Sequence, residues 1–136
     1  MENNWQFKTL ENLEKKISNS IKTGDDSYLI TTCNRLCKKQ LKDFTTEDLR
    51  IMIGQEIGLN FLIPLALETL TDDLFAEGDY YEGDLLKNVL EIKTEFWNSN
   101  KKYWKILNDL IKNRRNEIEE KKISTINFDN CSFSAL

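Results

Sequence analysis

The sequence predicts an all-α fold: a single-domain bundle of about five to seven helices around one very apolar central helix. Three observations carry this expectation. Apolar residues recur at spacings of three and four over most of the chain, the period of a helix with one buried face. Only residues 123–128 alternate in the manner of a strand, and weakly. At 136 residues, 40% hydrophobic and 31% charged, the chain is long enough to close one core without disulfides or metal.

Leu10, Leu13, Ile17 and Ile21 mark a first amphipathic helix that ends near Gly24. Asp25 or Asp26 then caps a second, with Leu29, Cys33, Leu36, Cys37 and Leu41 facing inward. Thr45-Thr46-Glu47-Asp48 is a helix start: a threonine oxygen accepts from a free backbone N–H, and the acids sit in the positive first turn. This third helix presents Leu49, Met52, Ile53 and Ile57 inward, with Gly58 as a left-handed stop. Around Phe61 the most apolar helix begins, with Pro64 in its first turn, where a missing N–H is harmless. Leu62, Ile63, Leu65, Ala66, Leu67 and Leu70 cover most of its circumference, which makes it the central element.

A loop follows over 72–83, carrying two glycines, several acids and the Tyr80-Tyr81 pair. Asp84 caps a short helix through Leu85, Leu86, Val89 and Leu90. One long helix over 98–121 bears Tyr103, Trp104, Leu107, Leu110, Ile111 and Ile118. Residues 122–136, rich in Ser and Asn, read as a docked or frayed tail. No repeat or linker divides the chain, so residues 1–136 are expected to form one helical domain.

Charge is distributed unevenly. Residues 1–42 and 98–136 each carry eight basic and five acidic side chains, while residues 43–97 carry three basic and thirteen acidic, a net charge of −10. Such a segment suits a basic partner and repels nucleic acid. The first ten residues lack the pattern of an export signal. The longest apolar run, 59–67, is interrupted and far too short to span a bilayer. A cytoplasmic protein without membrane contact is therefore expected.

The motifs that would signal chemistry fail one after another. The chain has no histidine, which removes the usual general base and the commonest metal ligand. Cys33, Cys37 and Cys131 are an odd set without a second pair, so core packing fits Cys33 and Cys37 better than a metal site or a redox couple. Gly78 and Gly83 have phosphate-loop spacing, but Asp79, Glu82 and Asp84 around them would repel a phosphate. The acids of the loop lack the alternation of a calcium site. Gly54 and Gly58 fit close backbone packing. Glu68, Asp72 and Glu77 could supply carboxylate acid–base chemistry only within a pocket that no motif announces. Lys101, Lys102, Lys105, Lys112, Arg114 and Arg115 with Tyr103 and Trp104 could meet bases, though aromatics at helical spacing are more often core. No catalytic residue, metal or cofactor is expected.

The loop is better read as a recognition surface. Two adjacent tyrosines do not easily face one core, tyrosine is a favoured interface anchor, and carboxylates steer a basic partner. The candidate contact residues are Asp72, Asp73, Glu77, Asp79, Tyr80, Tyr81 and Glu82. Tyrosines folded down as lids over the core are the structural alternative.

The run Thr45-Thr46-Glu47-Asp48-Leu49-Arg50-Ile51-Met52-Ile53-Gly54-Gln55, with Ile57-Gly58-Leu59 and Leu62-Ile63-Pro64-Leu65-Ala66-Leu67, resembles the signature of contact-dependent growth inhibition immunity proteins. Ala76-Glu77-Gly78-Asp79-Tyr80-Tyr81, Gly83-Asp84-Leu85-Leu86, Val89-Leu90 and Phe96-Trp97 resemble that family's second motif. The likeness is specific over 45–97 and weaker upstream to about residue 10. Glu82 and Gln40 stand where related sequences carry proline. The resemblance implies a cytoplasmic inhibitor, not an enzyme, that binds and blocks the cognate C-terminal toxin domain, often a nuclease. It acts by occluding the toxin's active site or its access to substrate, and the −10 segment would mimic a phosphate backbone. Thr45, Asp48, Arg50, Gly54, Gly58, Pro64, Gly83 and Asp84 would be scaffold in that reading, with Arg50 paired to Asp48 or Asp84. A helical adaptor for another basic protein and a carboxylate-based enzyme are the alternatives. The oligomeric state of the free protein does not follow from the sequence.

Overall fold

The central helix is the one the apolar run demands. In the computed structural model, which describes residues 3–13 and 27–131, α1 (Leu10–Leu13) precedes α2 (Ser27–Leu36), α3 (Thr46–Gly54) and α4 (Leu59–Asp72). They are followed by α5 (Asp84–Leu90), α6 (Thr94–Ser99), α7 (Lys101–Ile111), α8 (Arg115–Glu120) and α9 (Ile126–Asp129). Among the described residues the fold is all helical, joined by turns and two isolated bridges, Thr9 with Gln40 and Glu77 with Glu82. α4 packs against α3, α5 and α7 and buries Leu59, Leu62, Ile63, Ala66, Leu67 and Leu70. Ile17, Ile21, Gly24, Asp25 and Asp26, expected to end one helix and cap the next, lie outside the described residues.

α3 begins as its sequence requires. Thr45 Oγ1 accepts from the Asp48 amide at 3.1 Å and Asp48 Oδ2 accepts from the Thr45 amide at 3.0 Å, a closed capping box. Its end differs from expectation. The stop is Glu56, a non-glycine at φ 57°. Around it Ile57 N–H donates to the Met52 carbonyl at 3.0 Å and Glu56 N–H to Ile53 at 2.9 Å, the bond pair of a Schellman motif. Burial of Ile57 and the bond from the Lys93 amide to Glu56 Oε2 at 2.8 Å hold the residue in that conformation. Gly58 is left-handed too, at φ 67°, but it opens α4. A Cβ there would lie 2.8 Å from Leu10 Cδ1.

Because α4 starts at Leu59, Pro64 occupies the second turn and not the first. Its missing N–H deprives the Asn60 carbonyl of a helical donor, at an exposed residue where water can replace it. α4 also runs through Asp72, so the loop proper spans 73–83.

The predicted long C-terminal helix is two. The chain breaks over 112–114 between α7 and α8, because apolar period alone does not distinguish one helix from two whose inner faces meet the same core. α8 ends in a second Schellman motif at Lys122, φ 59°, with Ile123 N–H donating to the Ile118 carbonyl at 3.1 Å. Both isoleucines are buried. The alternation at 123–128 is no strand: residues 126–129 are helical and the tail is docked. Phe128 is fully buried, stacked on Trp104 with centroids 5.4 Å apart and edge-on to Trp97 at 5.3 Å. Asn127 Nδ2 closes the α5 end by donating to the carbonyls of Leu90 at 3.2 Å and Ile92 at 2.9 Å.

The core is continuous from Leu10 to Cys131. Cys33, Cys37 and Cys131 are buried and form no disulfide, and burial pushes Cys33 and Cys131 above the ordinary thiol range. Trp104 spends one indole face on Phe128, which removes that face from the base-stacking alternative.

Candidate functional site

Glu47 and Arg50 are three apart on α3, so their side chains meet on one helical face. Arg50 forks onto Glu47, Nε to Oε1 at 2.7 Å and Nη2 to Oε2 at 2.5 Å. Its Nε also lies 3.8 Å from Asp84 Oδ2. Arg50 thus pairs with Glu47 first and Asp84 second, and not with Asp48, whose Oδ2 closes the cap and takes Lys39 Nζ at 2.6 Å. The hydrogen bond from Arg50, reinforced by one from the Asp79 amide at 2.8 Å, holds the Glu47 carboxyl below its ordinary range.

Asp84 was expected to cap α5, but Gly83 is the capping residue and provides no side chain. The Asp84 carboxylate turns back into the loop, accepting from the amides of Gly78 at 2.7 Å, Tyr80 at 3.0 Å and Tyr81 at 3.4 Å. It is 2% exposed, so these donors and the Arg50 guanidinium replace the water it loses. A Cβ on Gly78 would sit 2.5 Å from Glu47 Oε1, so any larger residue there must push aside the carboxylate that Arg50 holds. Asn88 of α5 donates to the Arg50 carbonyl at 2.8 Å, and Gly54 makes room for that amide, since a Cβ there would meet it at 2.9 Å.

The rest of the loop is anchored from the C-terminal side. Phe75 is buried, with the Arg114 and Lys121 cations 5.0 and 4.9 Å from its ring centroid. Lys121 also bonds Glu82 at 3.0 Å. Asp73 Oδ1 accepts from the Phe75 amide at 3.1 Å.

What remains faces solvent. Asp72, Asp73, Glu77, Asp79, Tyr80, Tyr81 and Glu82 are all exposed, Tyr80 at 71% and Tyr81 at 41%, so the tyrosines are not lids. The Arg50 guanidinium lies 4.3 Å from the Tyr80 ring centroid and fixes that ring at the mouth of a cleft. Tyr28 of α2, 75% exposed, lines the same cleft. Among the described residues no helix is long and apolar enough to cross a membrane, and no group of His, Cys, Asp and Glu could hold a metal ion.

A family model described as CDI immunity proteins matches residues 12–107, well over half of the chain. The chain belongs to that family. No curated protein and no solved structure matches it. In this CDI immunity protein the matched stretch contains the Glu47–Arg50–Asp84 hub, the whole acidic loop and α4, and it runs ten residues past Trp97, where the recognisable motifs end. The bed under the loop, formed by Arg114, Lys121 and Ile123, lies beyond it.

Sequence reasoning missed Glu47 and Tyr28. Glu47 read only as a first-turn acid, although its three-residue spacing to Arg50 was a usable signal. Nothing local announces that Tyr28 and Tyr80 share a cleft.

Proposed function

We propose that this CDI immunity protein binds the cognate C-terminal toxin domain one to one in the cytoplasm and neutralises it as a stoichiometric inhibitor. The target is a nuclease with a basic cleft, and inhibition works by occluding the active site or the access of substrate. Family membership supports the role. The single observation supporting the surface is the exposed row Asp72, Asp73, Glu77, Asp79, Tyr80, Tyr81 and Glu82, held on the buried Asp84 hub. A rigid acidic edge costs little ordering entropy on binding and offers the charge pattern a phosphate-gripping cleft recognises.

Co-expression with the toxin domain encoded next to it tests this directly. Cells making both proteins should grow, and cells making the toxin alone should not. Absence of rescue, with both proteins present in the cell, defeats the reading. Reversing Asp72, Asp73 and Glu77 to lysine should slow association of the purified pair, most at low salt. If affinity stays untouched, the contact surface lies elsewhere while the role stands.

A further inference from the structure

A cleft of about 390 Å³ opens between α2, α3, α5 and the loop, and its walls are more than the fold requires. Tyr28, Asp79 and Tyr80 line it together with Glu47, Arg50 and Asn88. Tyr28 and Tyr80 leave most of their area to solvent, a cost that a packed partner would remove. Tyr80 is held through its amide by Asp84 and through its ring by Arg50, and Tyr28 projects from α2, which buries Cys33 and Leu36 in the core.

Charge selects the occupant. Glu47 is kept anionic by Arg50, Asp84 lies behind it, and Asp79 stands exposed at the rim. The two lining carboxylates, Glu47 and Asp79, against the one guanidinium of Arg50 leave the cleft negative, so a phosphate or carboxylate is repelled. An aliphatic side chain would desolvate the polar walls without replacing their water. Arg50 displays the favoured chemistry in place: a planar guanidinium on an aromatic face with a carboxylate at its edge.

We infer that the cleft accepts an arginine side chain of the bound toxin domain, clasped between Tyr28 and Tyr80 with Asp79 as its counter-ion. This rests on the toxin-binding reading above and adds α2 to the contact surface.

The test is calorimetry of the full-length protein with the toxin domain encoded next to it, using variants whose thermal midpoints match wild type. Tyr28→Ala and Asp79→Asn should each weaken binding by about tenfold or more. Tyr28→Phe, which keeps the ring face, should bind within about twofold of wild type. No binding by the wild type overturns both the toxin-binding reading and this one. Wild-type binding with both Tyr28→Ala and Asp79→Asn unaffected overturns the cleft alone. Loss with Tyr28→Ala but not Asp79→Asn means an uncharged occupant, and loss with Asp79→Asn alone means a rim contact without a clasp. Either result overturns the arginine assignment.

Discussion

The 73–83 loop and the segment after Lys122 are both short, polar stretches outside the main helices, yet they do opposite things. The tail inserts Ile123, Phe128 and Cys131 into the core and turns its polar groups to closing it. The loop buries Leu74, Phe75 and Ala76 and sends its charges outward. The difference lies in where the backbone amides go. In the tail those of Asp129, Asn130 and Cys131 bond to carbonyls three or four residues back. In the loop the amides of Gly78, Asp79, Tyr80 and Tyr81 converge on the carboxylates of Glu47 and Asp84. One segment is held by apolar area, the other by a polar hub beside its buried Leu74, Phe75 and Ala76, with Glu77, Asp79 and Tyr81 turned to solvent.

That contrast can be broken at either end. Phe128→Ala should cost about 4 kcal/mol in chemical denaturation, because it removes a large ring from between two tryptophans. Arg50→Ala should cost about 3 kcal/mol by leaving two half-buried or buried carboxylates facing each other. It should also free the loop, seen as faster amide exchange at Gly78 and Tyr80. Gly78→Ala should cost about 2 kcal/mol by forcing a methyl group against Glu47. A tail substitution that loosened the loop amides as much as Arg50→Ala would show that the two modes are not separate.

Acid sharpens the comparison further. Hydrogen bonds from Arg50 and Arg115 hold Glu47 and Asp129 below their ordinary carboxyl values. A carboxylate depressed in the folded state stabilises fully above its unfolded pKa and loses that contribution as pH falls through the folded value. Stability should therefore decline on acidification below the ordinary carboxylate range. Glu47→Gln should flatten that decline more than Asp129→Asn, whose fork with Arg115 is more exposed. The smallest effect belongs to the outer edge: Asp72→Lys with Glu77→Lys, both exposed, should change stability within about 0.5 kcal/mol, measured as a shift in thermal midpoint.

Features with a local cause were legible in the sequence. The Thr45 cap, the inner face of α3 and the apolar α4 all follow from spacing within a few residues, and the exposure of the acidic loop follows from its composition. What was missed depends on distant pairs. Glu56 adopts the left-handed position through burial of Ile57 and a bond from Lys93, 37 residues away. Asp84 turns from capping its own helix to binding loop amides because Arg50 stands beside it. The 112–114 break left no mark, since Leu107, Ile111 and Ile118 keep their period across it. Tyr28 joined the cleft only once α2 lay against α3.

The cations beneath Phe75 have a consequence for how such proteins diverge. Arg114, Lys121 and Ile123 support the acidic edge from residues outside the matched stretch 12–107. Two relatives could share every loop residue and still present the loop at different tilts, if they differed beyond the matched stretch. Toxin choice could then shift through the foundation of the surface without any change in the surface itself.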